Sequence, residues 1–201
     1  TISGTGPSYD YGWVGEVIVE TPWLDYVEQI KEIVLNEGIT YIDGEMLYGI
    51  VDNGDESYSM HYIPNVTTIN IPASVTDIDS YAFDGLYNLT EITVDEDNQN
   101  YVSLDGVLYS ADIEDLLGYP GEYSATTYEI PEGVQYMFTE ISNIHLEELV
   151  LPESLIHASM IQGMMTKVTF KSMDTYINNW PGAIAETAVI HSPNEKPLLN
   201  L

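Results

Sequence analysis

The 201-residue sequence has no cysteine and no arginine, and its four basic residues are all lysines: Lys31, Lys167, Lys171 and Lys196. Without cysteine there is no disulfide framework and no thiol chemistry, and the redox compartment stays open. Four lysines stand against 33 Asp and Glu, a formal net charge of −29. That balance excludes nucleic acid as a partner, because affinity for a phosphate backbone comes from Lys and Arg displacing counterions. It also argues against docking on anionic membrane surfaces, which requires basic clusters. No apolar run reaches the ~20 residues of a membrane-spanning helix. The most apolar stretch, 149–165, is interrupted by Pro152, Glu153 and His157, so no membrane insertion is expected within this segment. No signal peptide is visible, and the sequence starts at Thr1 rather than Met, which reads as a mature or excised segment.

What is present is enough apolar area for a core. The hydrophobic fraction is 44%, with 16 tyrosines to 3 phenylalanines; disordered acidic chains are poor in such residues. Self-similarity organises the rest. Four stretches align: VLNEGITYIDG (34–44), NIPASVTDIDS (70–80), EIPEGVQYMFT (129–139) and VLPESLIHASM (150–160). Weaker copies follow at Thr93-Val94-Asp95 and Thr169-Phe170-Lys171, with a terminal one at His191-Ser192-Pro193. Starts at 34, 70, 93, 129, 150, 169 and 191 define a unit of about 19–23 residues, enlarged to 36 where an insertion sits.

Two apolar residues one apart precede each proline slot: Ile33/Leu35, Ile69/Ile71, Ile92/Val94, Tyr128/Ile130, Leu149/Leu151 and Val168/Phe170. In a strand, residues i and i+2 share a face, so these pairs point inward. Burial of each such side chain is worth roughly 1.5–3 kcal/mol. One short strand cannot hide its own apolar face, so copies must stack as a parallel ladder. Proline ends each strand because it has no N–H to donate to the next rung. The residues between the inward pairs form an outward ladder, the candidate interaction surface: Val34, Asn70, Thr93, Glu129, Val150, Thr169 and His191. The return arm, such as YAFDGLYNL (81–89), is expected as a helical or irregular turn with Ala82, Phe83, Leu86 and Leu89 inside.

These residues also resemble a known family. IPASVTDIDSYAFDGLYNLTEITV (71–94), NQNYVSLDGVLYSADIEDLLGYP (98–120) and YEIPEGV (128–134) are similar to the BspA-type leucine-rich repeats of bacterial surface proteins. The opening TISGTG (1–6) with TPWLDYVEQIKEIVLNEGITYIDG (21–44) is similar to the usual start of such domains. The Ala-Phe pair is kept only at Ala82-Phe83, and the corresponding regions near Met46-Leu47, Ile141 and Met160-Ile161 have drifted. Together the repeats and the resemblance predict an α+β repeat fold. Its form is a right-handed leucine-rich-repeat solenoid with short parallel strands, irregular or helical return arms and an inserted β-hairpin. Residues 1–30 are expected as an N-terminal capping segment and 31–201 as the solenoid, since an uncapped end would expose core.

The insertions have their own signals. YVSLDGVLYS (101–110) alternates about Asp105-Gly106, a type I′ hairpin pattern, and Leu116–Pro120 reads as a third short strand within the insertion 101–120. The segment 52–57 is loop-like, and Thr21 is the expected N-cap of a short amphipathic helix carrying Leu24, Val27 and Ile30.

No catalytic constellation emerges. Close carboxylate pairs are unavoidable with 33 acids and read as a solvated surface. No nucleophile elbow, phosphate loop or dinucleotide fingerprint occurs. His61, His145, His157 and His191 lack zinc-ligand spacing; His157 takes the slot filled by Tyr41, Asp77 and Tyr136 in other repeats. Calcium is the more serious metal candidate, at Asp95, Asp97 and Asn98 or at Asp52 and Asp55, but neither loop fits an EF-hand. No metal or other cofactor is therefore expected. Tyrosine suits a thin solenoid, where a ring is buried while its hydroxyl reaches water, and it also suits a binding face. What the repeats and the resemblance imply is a non-enzymatic module at a bacterial cell surface, binding a protein or glycan ligand. The alternatives are a structural spacer within a larger surface protein and a dedicated glycan-binding module.

Overall fold

A computed structural model describes residues 1–8, 12–14, 17–54, 57–83, 85–159, 161–163, 165–172, 174–177 and 189–191. The repeats coil into a β-solenoid. Each complete turn lays down short strands on successive faces, and on either side of the inserted hairpin these pair in parallel with their counterparts in the next turn. On the first face Thr68–Ile71 pairs with Glu91–Val94, and further along Thr127–Glu129, Glu148–Leu151, Lys167–Phe170 and Val189–His191 form a four-stranded parallel sheet. On the second face Gly6–Pro7, Ile39–Ile42 and Asp77–Ile78 pair in parallel. The same face continues through Asp115–Gly118, Tyr136–Met137, His157–Ala158 and Tyr176–Ile177.

The inward pairs behave as strand alternation demands. Ile69, Ile71, Ile92, Leu149, Leu151, Val168 and Phe170 are buried, while Asn70 between the first two is exposed. Backbone turns are tied from rung to rung by short polar side chains. Gly38 N–H donates to Ser74 Oγ, and Ser74 Oγ–H donates to the Ile39 carbonyl. The same bracket recurs as Gly133 to Ser154 and Ser154 to Val134. The carboxylate preceding each glycine accepts from the next rung, Glu37 from the Ala73 and Ser74 N–H and Glu132 from the Glu153 N–H.

Among the described residues the expected helical return arms are not found, so the α+β description gives way to a leucine-rich-repeat β-solenoid with little helix. In the 81–89 arm, backbone bonds run from Ala82 to Asp79, Leu86 to Phe83 and Leu89 to Leu86, a chain of tight turns that still buries Ala82, Leu86 and Leu89. In later repeats the arm is a strand: Ile141–Asn143 pairs in parallel with Ile161–Gly163, with Ile141 and Ile161 fully buried. The turn has only a short chord to span, and two or three extended residues reach further than a helical turn of the same length. The amphipathic helix near the N-terminus is also corrected. It is a 3-10 helix over Leu24–Gln29 that buries Val27, and Thr21 makes no side-chain cap.

The hairpin forms as the alternation requires. Tyr101–Leu104 pairs antiparallel with Val107–Ser110, and Asp105 and Gly106 both take positive φ (51° and 86°), as a type I′ turn demands. It is nevertheless no surface appendage. Leu108 belongs to the apolar core of the N-terminal turns, whereas Val107 and Tyr109 belong to the core of the C-terminal turns. One strand therefore presents alternate residues to two cores, and the parallel ladder of the first face is interrupted there. Ile92 N–H donates to the Gly106 carbonyl, and Ser103 Oγ–H donates to the Ile92 carbonyl. Gly49–Asp52 pairs antiparallel with Tyr58–His61; of the 52–57 segment expected as a loop, residues 55 and 56 lie outside the described residues.

Candidate functional site

The first-face ladder is brought together in two pieces. Asn70 and Thr93 are register partners, and Glu129, Val150, Thr169 and His191 are register partners in turn. Val34 lies outside both pieces, next to Ile2, whose N–H donates to the Val34 carbonyl. The polar groups of this face are largely occupied with one another. Thr93 Oγ1–H has the Ile69 carbonyl and Asn70 Oδ1 within reach. Lys167 pairs with Glu148 at 3.1 Å, and Lys171 bridges Glu129 and Glu132 at 2.7 and 2.8 Å. The hydrogen bonds to Glu129 and Glu132 hold the Lys171 ammonium above its ordinary pKa, and the bond from Lys171 holds Glu132 below its own.

The second face presents different chemistry. Tyr136, His157 and Tyr176 are register partners on three successive rungs, about 4.8 Å apart. Their inward neighbours Met137 and Ala158 are fully buried, so alternation turns these rings outward. Tyr136 stacks on Phe138 with ring centroids 6.0 Å apart, and His157 stacks on Tyr176 at 5.4 Å. Phe138 is 44% exposed and Tyr176 64%, with Ile156 also exposed beside them. The sequence had marked His157, Tyr136 and Asp77 only as one variable slot; the signal that finds this ladder is the run of aromatic residues in that slot over consecutive repeats.

A second aromatic feature lies between the N-terminal turns and residues 119–142. A cleft of about 400 Å³ is walled by Tyr48, Tyr62, Tyr81, Phe83, Tyr87 and Tyr119, with Glu140 among its polar lining. Tyr62 meets Tyr87 edge-on at 4.8 Å and Tyr48 at 6.1 Å. An acidic hollow of about 220 Å³, lined by Asp43, Glu45 and Asp79, shares Tyr48 and Tyr81 with the cleft.

Other tyrosines are structural. Tyr109 is fully buried and its hydroxyl lies 2.5 Å from that of Tyr128. Tyr119, Tyr123 and Tyr128 meet pairwise edge-to-face at 5.2–5.7 Å. Burial, followed by the neighbouring phenols, raises the Tyr109 and Tyr119 hydroxyls; burial lifts Tyr128 to about 12. Tyr101 is likewise raised to about 12, by burial and then by Asp77.

The suspected calcium loop has another use for its amide. Asn98 donates to the Pro72 and Val75 carbonyls and accepts from the Asn100 and Tyr101 N–H groups. Asn143 repeats this, donating to Pro120 and Tyr123 and accepting from His145 and Leu146. Among the described residues no group of three or more His, Asp or Glu is placed to hold a metal ion. His145 pairs with Glu122 at 2.9 Å on the surface.

A stacked parallel ladder with asparagine-closed turns and a 19–23-residue period defines a leucine-rich-repeat solenoid. Residues 56–115 match the family described as BspA type Leucine rich repeat region, in 6 copies, so this stretch carries leucine-rich repeats of the BspA type. No curated protein matches the sequence. Among solved structures, a leucine-rich repeat protein from Eubacterium ventriosum is similar at 19% identity and a TM-score of 0.45, over 92% of this chain and 70% of that one. A leucine rich cell surface protein from Faecalibacterium prausnitzii is similar at 18% identity and 0.39, over 82% and 60%. The pneumococcal vaccine antigen PcpA is similar at 19% identity and 0.39, over 66% of this chain; the match spans about half (53%) of that chain's length.

Proposed function

We propose that the chain is a non-enzymatic binding or adhesion module of a bacterial cell surface, acting through protein–protein contact on the aromatic ladder of its second face. The observation that supports this reading is the outward register of Tyr136, His157 and Tyr176 with Phe138 stacked alongside. Exposed, rigid aromatic side chains are what protein interfaces enrich at their centres. The BspA-type repeats support the surface location, and no helix among the described residues is long and apolar enough to cross a membrane. The first-face ladder runs beside this strip, and its Asn70, Thr93 and Glu129 side chains are engaged in bonds to neighbouring rungs. Residues 1–30 serve as the cap of a solenoid that spans 31–201; the Ile2 bridge to Leu35 and the burial of Val27 support that role.

The test is capture of purified host matrix proteins and isolated bacterial envelope proteins at physiological salt. Saturable capture that fails in a Phe138→Ser/Tyr176→Ser variant with unchanged melting supports the reading. Absence of capture by the native chain favours a structural spacer instead.

A further inference from the structure

The aromatic cleft shares no lining residue with the second-face ladder, and its chemistry selects a different contact. Its walls offer phenol rings, with Tyr81 63% and Tyr87 55% exposed. Its volume falls within the range of sites that enclose a small group. At the end formed by Tyr48 and Tyr81 the lining changes to carboxylates. Asp79 Oδ1 accepts the Tyr81 backbone N–H at 2.9 Å, and both residues line the hollow. Asp79 lies so close to Gly44 that a Cβ there would stand 2.7 Å from the same oxygen. Glu140 is a further acidic residue of the cleft's own lining.

Rings and carboxylates of one sign, arranged together, are complementary to a cation. A cation over an aromatic face gains from the ring quadrupole, and an adjacent carboxylate adds a charge-assisted hydrogen bond. No lysine is among the described residues lining the cleft or the hollow, and Lys167 and Lys171 are paired elsewhere with glutamates. The field of a chain with net charge −29 raises the local concentration of cationic groups further. We infer that the cleft is a receptor for an arginine side chain presented by a protein partner. Arginine fits better than lysine because its planar guanidinium stacks on a ring while its fork of donors reaches a carboxylate.

The experiment titrates the whole chain with the capped peptide acetyl-Gly-Arg-Gly-amide and with its citrulline counterpart, which has the same shape without the charge. Tyrosine ring resonances are followed by NMR. The arginine peptide is expected to shift Tyr81 and Tyr87, and to bind about tenfold more tightly than the citrulline peptide. Asp79→Asn with Glu140→Gln should erase most of that preference. Tyr81→Ala with Tyr87→Ala should abolish binding, while Tyr81→Phe, which keeps the ring, should bind as the native protein does. Equal affinity for the two peptides overturns the inference. So do shifts confined to Tyr136 and Tyr176, or a neutral oligosaccharide that shifts Tyr81 and Tyr87 when the arginine peptide does not. None of these outcomes bears on capture by the second-face ladder, which the Phe138 and Tyr176 variant reads separately.

Discussion

Asn143 shows how much one side chain does in this fold. It is fully buried, and its amide closes two turns at once with two donated and two accepted bonds. Removal leaves buried carbonyls and N–H groups without partners, each costing about 1–3 kcal/mol. Asn143→Ala is therefore expected to lower stability by about 3 kcal/mol or more, read from the shift of the urea midpoint. Gly38 tests the backbone in the same way. Its φ is +104°, and a Cβ would lie 2.5 Å from the Gly4 carbonyl oxygen. Gly133 shares the positive φ, but a Cβ there has its nearest neighbour at 3.9 Å. Gly38→Ala should thus destabilise more than Gly133→Ala, the difference measuring the collision alone. The sequence could not show what Asn98 and Asn143 do. An Asn beside acids reads equally as a cation ligand or a turn-closing amide, and the choice depends on carbonyls 20–26 residues away in the chain.

The strands of the repeats were legible because their period is two and proline marks their ends. The return arms were not. Apolar residues at 82, 83, 86 and 89 have the three-to-four spacing of a helix, and successive tight turns have that spacing too. The hairpin was legible from Asp105-Gly106, yet its role as a seam between two cores was not, since that depends on what stacks on each side of Leu108 and Tyr109. Leu108→Ala should cost about 2–5 kcal/mol, the usual range for a buried leucine. The tyrosines packed at this seam set a pH limit. Tyr128 titrates at about 12 in the folded protein, against an ordinary value near 10. Between those values the unfolded chain binds fewer protons than the folded one, so stability falls as pH rises. Stability is unaffected by this group below about pH 10 and drops progressively toward pH 12, and Tyr109 and Tyr119, raised further, extend the loss. Ultraviolet titration should show these phenols ionising together with unfolding.

On the scale of the molecule, the missing arginine and the 33 acids take on a definite meaning. In an open stack the charges spread along the surface, and a Debye length of about 8 Å at physiological salt separates distant ones. Residual repulsion predicts that the melting temperature rises between low salt and 0.15 M, by about 2–4 °C for each 1 kcal/mol relieved. The aromatic second face stands out against this charged background, with stacked rings on consecutive rungs at Tyr136, Phe138, His157 and Tyr176. It was half legible: the sequence aligned Tyr136 with His157, but stacking within and between rungs is set by the register of the folded ladder. The most direct test of its role compares two variants in capture of matrix and envelope proteins. Phe138→Ser/Tyr176→Ser is predicted to lose at least tenfold in affinity, about 1.4 kcal/mol, whereas Asn70→Ala/Thr169→Ala on the first face should bind as the native chain. Unchanged capture by the aromatic variant, or its loss in the first-face variant alone, would contradict the account.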